Sequence, residues 1–493
     1  MGEGHRQENG GRDALSEAPS APYAMGMRDY PVEQTLSPEQ RVESNVKVPT
    51  SASDPYPRPR YAWFVVGVLT LAYISSFIDR QILSLLVAPI RRDLGISDTG
   101  MSLLMGLSFA VLYTVLGLPI GRLADSRSRR AIMAWGIAVW SVTTALCGLA
   151  RTFNQFFLAR VGVGVGEAAL SPAAYSLLTD YFPKERLSTA LSVYSSGIYI
   201  GGGLALIIGG LVIKAVSAAG LWMLPIVGAV EPWRTVFFAV GLPGLLIALL
   251  VLTVREPVRR GATARPLPTA ETARYVRDNA RMFGCHHVGI AFVSLAAYAA
   301  NAWIPTVFVR NFGWTLPRIG LVYGVIIMVF GTLGIMSGGH YADRALRRGV
   351  ADAKMRTCLI GAAGMLCVTV LFPLASTGVL AAVLLAPMTF FGAFPYGAAA
   401  AAVQELTPNR MRAQISALYL FVVNIIGLGL GPTAVALFTD YVFGRDDAVR
   451  YSLTIVMVAS LVVACALLAL GRPAYARTLA YRDKWQAAHA STG

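Results

Sequence analysis

The 493-residue chain is 55% hydrophobic and only 14% charged, with a mean hydropathy of +0.57, which excludes a soluble protein of several domains and places it in a bilayer. Its formal net charge of +15 is carried by loops between apolar runs, which excludes a nucleic-acid-binding module and any need for an anionic macromolecular partner. Cys147, Cys285, Cys358, Cys367 and Cys465 are scattered through apolar segments without metal-ligand spacing or a disulfide framework, so no metal and no cofactor is expected.

Residues 1–60 have no long apolar run, are rich in Glu, Pro, Ser and Gly, and lack the basic-then-apolar pattern of a cleaved signal. A disordered cytoplasmic tail is expected there. Apolar runs then follow at 61–87, 100–122, 131–149, 153–178, 187–213 and 233–254, and again at 285–309, 318–341, 356–375, 379–402, 413–438 and 450–471. At about 1.5 Å per residue each reaches across a hydrocarbon core of about 30 Å. The expected fold is an all-α membrane protein of twelve transmembrane helices in two six-helix pseudo-repeats, 61–254 and 285–471. A basic linker, 255–284, joins them, and a cytoplasmic tail, 472–493, ends the chain.

The first span reads Phe77-Ile-Asp79-Arg80-Gln81, an acid and a base about 6 Å past its midpoint. Charges at that depth cost a few kcal/mol or more and normally face a cavity or a partner. The fourth span supplies partners, Arg160 and Glu167, seven residues apart and therefore on one helical face, with Gly162, Gly164 and Gly166 allowing close packing. The four charges are expected to form one buried cluster. Asp79 and Glu167 are its proton-coupling candidates, because a buried carboxyl that alternates between paired and unpaired states takes up and releases a proton. Arg80 and Arg160 stay charged and suit an anionic head group.

Between the second and third spans stands Gly121-Arg122-Leu-Ala-Asp125 with Arg129-Arg130, and 218 residues later Gly339-His-Tyr-Ala-Asp343 with Arg347-Arg348. Asp180-Tyr-Phe-Pro183 with Tyr194 recurs as Glu405-Leu-Thr-Pro408 with Tyr419, at an offset of 225. Two motifs repeated at nearly equal offsets point to an internal duplication. These loops and the linker, rich in arginine, fall on one side of an alternating chain, which places both termini in the cytoplasm.

The second half carries no charge at comparable depth, since His340, Asp343 and Glu405 sit at span ends. It offers aromatic bulk instead, Tyr298, Tyr323, Phe390, Phe391, Phe394, Tyr396 and Tyr419 among others. With Tyr199 of the fifth span, and with Asn301 and Asn424 as polar contacts, this describes a lopsided cavity for an anionic head and an apolar tail.

The paired G-x-x-A-D-x-x-x-R-R loops, twelve spans and basic linker resemble the major facilitator superfamily over residues 61 to 471. The resemblance implies alternating access by two halves and a cytoplasmic charge latch, giving gating roles to Gly121, Arg122, Asp125, Arg129, Arg130, Gly339, Asp343, Arg347 and Arg348. Phe77-Ile78-Asp79-Arg80, Leu118-Pro119-Ile120-Gly121 and Gly164-Val165-Gly166-Glu167-Ala168 are similar to the Spinster-type lipid transporters. That similarity implies proton-linked movement of lysophospholipids or sphingoid phosphates, with Asp79, Arg80 and Glu167 functional. The fifth span departs from the family's antiporter pattern, having Leu204 and Ala205 where a proline is sought.

No nucleophile with its base is present, so an enzyme is not expected. The substrate classes left open are an amphipathic lipid, a small organic anion moved with protons, and the drugs of a multidrug exporter. The 37 arginines against five lysines point to a bacterium of high-GC genome and its inner membrane, with a monomer, protons, substrate and membrane lipids as the expected company.

Overall fold

The computed structural model describes residues 56–219, 222–224, 228–259 and 268–490; most of the expected N-terminal tail and the middle of the linker lie outside them. Among the described residues, twelve helices are long and apolar enough to cross a membrane. In the first half these are α1 (Pro59–Leu85), α2 (Asp98–Gly117, whose helix runs on to Ser126), α3 (Arg129–Cys147), α4 (Phe153–Tyr181), α5 (Thr189–Ala215) and α6 (Pro232–Leu252). The second half has α7 (Ala280–Phe312), α8 (Leu316–Arg347), α9 (Ala353–Leu374), α10 (Gly378–Leu406), α11 (Arg412–Phe443) and α12 (Asp446–His489). The one departure from an all-helical fold among the described residues is a hairpin between α5 and α6, Trp222–Leu224 paired antiparallel with Gly228–Val230.

Local chemistry sets the helix ends. Ser97, Ser128, Thr152 and Thr377 each turn a side-chain oxygen to a first-turn amide of α2, α3, α4 and α10, satisfying a donor that the helix leaves free. Gly313 and Gly444 end α7 and α11 in the left-handed region, where a Cβ would be strained. Outward faces are apolar: Trp135 is 75% exposed and Leu246 70%, as lipid-facing side chains of a multi-pass membrane protein are.

The halves meet along α2 with α11 and α5 with α8, where glycines let backbones touch. A Cβ on Gly106 would stand 2.7 Å from the Leu428 carbonyl, and one on Gly324 would stand 2.6 Å from the Gly203 carbonyl. Within the first half, Gly164 packs on the Phe109 carbonyl and Gly166 on that of Gly136, so the glycine run of α4 is a packing surface.

One end of the bundle, carrying the connection 86–97 with its short helix Val87–Leu94 and the turns at 313–315 and 444–445, is tied across the halves by charge. Arg310 grips Asp98 with both Nη atoms, at 2.5 and 2.8 Å. Arg91 bonds Asp98 at 3.1 Å and Asp446 at 2.7 Å, and Asp440 accepts from the Thr99 amide and hydroxyl, both at 2.7 Å. At the opposite, latch end the ion pairs Arg129–Asp180, Lys354–Glu405 and Arg472–Asp352 each stay within one half, and Arg129 also pairs with Glu256 at the start of the linker.

The helix containing α12 runs to Ala490 rather than stopping near 471. Its extension meets the linker helix Thr269–Asp278 through Tyr275 with Tyr481 and Trp485, and through a 2.9 Å bond from the Tyr481 hydroxyl to Asp278. Apolar burial therefore continues past the last span on that side.

Candidate functional site

Between the halves lies a cavity of about 370 Å³, walled by α1, α2 and α5 from one side and α7, α8, α9, α10 and α11 from the other. Four of the residues expected at the substrate line it: Arg80, Tyr199, Asn301 and Asn424. Arg160, the fifth, does not. Its guanidinium is buried behind Phe109, with the ring centroid 5.7 Å away, and makes long bonds of 3.4 Å to the carbonyls of Leu104 and Asp79. It ties α4 to α1 and α2 in this structure.

The expected four-charge cluster resolves into one ion pair and two neighbours. Arg80 donates to Glu167 Oε2 from Nε at 2.6 Å and Nη2 at 2.5 Å, and the Ser76 hydroxyl donates to the same oxygen at 2.6 Å. Glu167 is buried and outside the cavity wall, so Arg80 is the member of the pair that meets the cavity. Its guanidinium lies 4.4 Å from the Phe109 ring centroid, 4.8 Å from Tyr113 and 5.0 Å from Phe77, a three-sided aromatic frame that fixes its plane.

Asp79 is 1% exposed, and neither carboxyl oxygen has a hydrogen-bond partner among the described residues. Arg80, Arg160 and Glu167 lie within electrostatic range of it but do not bond its side chain. Adjacent residues on a helix point about 100° apart. That is why Arg80 faces the cavity while Asp79 turns into the packing between helices.

The second-half wall differs from the apolar one expected. The phenylalanines 390, 391 and 394 pack on one another behind it, and the rings that reach the cavity are tyrosines: 298, 323, 396 and 419, joined by Tyr73, Tyr113 and Tyr199 of the first half. Each hydroxyl is both donor and acceptor. Tyr323 donates to Asn301 Oδ1 at 3.2 Å and Tyr396 to the Ser294 hydroxyl at 3.1 Å. Gln81, given no role by the sequence, reaches across the halves to the Asn301 carbonyl at 2.8 Å. Its place directly after Arg80, a polar side chain still inside the apolar first span, was the available signal. Asn424 opens a π-helical turn, Asn424–Leu430, a form that often marks functional sites.

At the latch end Arg129 is 1% exposed and holds Asp180, Glu256 through Nε at 2.8 Å, and the Ser176 carbonyl at 2.9 Å. Burial works against the Glu256 charge, but bonds from the Arg129 side chain, the Arg130 amide and the Ser128 hydroxyl outweigh it and hold this carboxyl below the usual glutamate range. The side chain of Asp125 lies outside the described residues, and Arg122 is exposed. Gly121 and Gly339 are not forced by packing: a Cβ on the first would meet Pro172 at an ordinary 3.7 Å, and one on the second meets nothing within 4 Å.

The repeated motif misassigns one correspondence. Arg347 and Arg348, matched to Arg129 and Arg130 by spacing, are exposed at the end of α8, as is Asp343. The residue that plays the part of Arg129 is Lys354, which bonds Glu405 at 2.6 Å across the same 51-residue separation that joins Arg129 to Asp180. The second offset of 225, not 218, relates these pairs, and the seven extra residues fall between Asp343 and Lys354, shared by a longer end of α8 and a longer turn into α9.

The chain matches the family described as Major Facilitator Superfamily over residues 69–432. An MFS-type efflux pump of Mycolicibacterium smegmatis is 30% identical over 386 residues, spanning 78% of this chain and 85% of the pump. A probable L-galactonate transporter of Escherichia coli is 27% identical over 376 residues, 72% of this chain and 78% of that one. Among solved structures, a bacterial homolog of the human lysosomal transporter Spinster, inward-facing and unoccupied, superposes with a TM-score of 0.74 at 26% identity, covering 86% of this chain and 99% of its own.

Proposed function

Because the chain belongs to the major facilitator superfamily, we propose that it is a proton-coupled secondary transporter that moves an anionic amphiphile, of the lysophospholipid or sphingoid-phosphate type, by alternating access across a bacterial inner membrane. The observation that carries this reading is the one cationic group on the cavity wall among the described residues: Arg80 is framed by three aromatic rings and paired from behind by the buried Glu167. An incoming phosphate or carboxylate competes with Glu167 for the same guanidinium, and a carboxyl released from its arginine is one that takes a proton. Asp79, buried and without a bonded partner among the described residues, is the second carboxyl in the coupling. The apolar tail lies toward Met105, Leu428 and Met365.

With the arginine-rich latch loops in the cytoplasm, both termini are cytoplasmic and the charged ties among Arg91, Asp98, Arg310 and Asp446 close the outer end. The similarity to an inward-facing structure supports the same orientation.

A second reading, a small hydroxylated acid moved with protons, is favoured by one observation, the seven tyrosines with Asn301, Asn424 and Gln81 around a cavity of about 370 Å³, near the low end of drug-sized pockets. Thermal stabilisation of the purified protein by lysolipids, sphingoid phosphates, sugar acids and cationic dyes separates the classes, since a ligand of the folded state raises its apparent stability. The amphiphile reading requires stabilisation by the lipids that Arg80→Ala abolishes; stabilisation by sugar acids alone, or by dyes alone, sinks it.

A further inference from the structure

Among the described residues the second half has no carboxylate on the cavity wall, but it does hold two titratable groups that the sequence reading passed over. His286 and His287 lie about 9 Å inside α7, 1% and 4% exposed, with their Nδ1 atoms 3.0 Å apart. Both Nε2 atoms are buried without a hydrogen-bond partner among the described residues, the Ala399 backbone coming near the His286 ring short of bonding geometry. Helix α11 covers the pair with Tyr419, whose ring centroid is 5.6 Å from His286 and 5.4 Å from His287. Tyr419 also lines the cavity. Ser294, two helical turns beyond His287 on the same face, lines it too, so the pair sits beneath the cavity on the latch side.

Among the described residues no fully charged side chain acts on either ring, and the surrounding packing is apolar or weakly polar. Helix α7 itself contributes Phe283, and α9 contributes Cys358, whose thiol is donated to the Pro395 carbonyl of α10 and which lies within electrostatic range of Tyr419. From α12 come Leu468 and Gly471, against Gly289 and Cys285.

Two Nδ1 atoms at 3.0 Å are compatible with only one hydrogen between them. In the neutral pair one ring carries its proton on Nδ1 and donates it, and the other carries its proton on Nε2 and accepts. An added proton has one place to go without breaking that bond, the bare Nε2 of the donor ring, which becomes an imidazolium still donating to its neutral partner. A second added proton would set N–H against N–H and is refused.

We propose that His286 and His287 form a second proton-binding site, of capacity one, that is coupled to the occupancy of the cavity through Tyr419. Protons then enter the cycle from both halves: at carboxyls beside α1 and α4, and at this imidazole pair beneath α7 and α11. The inference goes beyond the coupling reading of Asp79 and Glu167 and does not depend on it.

The test follows imidazole 15N shifts of the full chain, labelled at its five histidines and held in lipid nanodiscs, from about pH 8.5 to about pH 4.5. His286→Gln and His287→Gln assign the two rings. One ring of the pair should become imidazolium and the other stay neutral, and Tyr419→Phe, which keeps both histidines should a glutamine variant not fold, should move the midpoint by at least about 0.5 pH unit. Asp79→Asn should leave the titration in place, so failure of the carboxyl reading is distinguishable. Two rings that never change protonation, two that both become imidazolium, or a midpoint that Tyr419→Phe does not move would overturn the proposal.

Discussion

Arg80 and Glu167 face each other across α1 and α4 with contacts of 2.5 and 2.6 Å from two guanidinium nitrogens onto one oxygen, and Arg80 also lines the cavity. The pair therefore joins a buried carboxylate to the space a substrate enters, and removing either member has different consequences for stability and for binding.

Breaking a buried pair by removing one partner typically costs about 3–5 kcal/mol, because the other charge is left uncompensated, whereas replacing both is far milder. Glu167→Gln and Arg80→Met should each lower the melting temperature clearly, and the double variant should recover most of the loss. Additive losses in the double-mutant cycle would show that the two residues do not depend on each other.

Asp79→Asn should behave in the opposite way. Its carboxyl has no bonded partner to lose, so the amide should leave thermal stability within about 1 kcal/mol while abolishing flux driven by a pH gradient in proteoliposomes. Retained pH-driven flux removes Asp79 from the coupling role.

The two copies of the repeated loop should respond unequally. Arg129→Ala removes a fully buried guanidinium from Asp180, Glu256 and Ser176 and should destabilise by about 3 kcal/mol or more, while Arg347→Ala, at an exposed helix end, should stay within about 0.5 kcal/mol. Lys354→Ala, at the equivalent of Arg129, should fall between them because that pair is partly exposed. Equal melting temperatures for Arg129→Ala and Arg347→Ala would return the arginines to topology signals.

Glu256 supplies a pH signature for the latch end. Its folded-state value is held below the ordinary 4.5, so its contribution is fully present above that value and is lost as pH falls through the depressed one. The stability gap between the native chain and Glu256→Gln should be constant from neutral pH down to about 5 and shrink only in stronger acid. A gap that closes between pH 7 and pH 6 in thermal melts would place the carboxyl elsewhere.

At the far end, Asp98→Asn should weaken the grip of Arg310 and Arg91 and free the outer turns to part. Cysteines introduced near Thr99 and Asp440 should then label faster from outside. Unchanged labelling would mean the glycine-mediated contacts of α2 with α11 hold that end without the charges.

Much of the fold was legible because the cost of polar groups in lipid acts on each segment separately. Twelve apolar runs had to be twelve helices, and the ends fell within a few residues of the apolar limits except where burial against the linker helix carries the last helix on to Ala490. The candidate site was legible in part. Arg80, Asn301, Asn424 and Tyr199 do line one cavity, but the tyrosine hydroxyls of its second wall were hidden in what composition records only as aromatic bulk.

By itself the sequence determined the number of spans, the duplication and the presence of charge within the membrane, since each follows from apolar length, motif spacing or the cost of burying a charge at one position. Tertiary structure alone decided the partners. Rotation about the α1 axis gave Arg80 to Glu167 and the cavity and left Asp79 without a bond, and a longer turn gave Lys354, not Arg347, to the second acid. Both outcomes depend on how helices far apart in sequence cross and rotate against each other, which no single segment encodes.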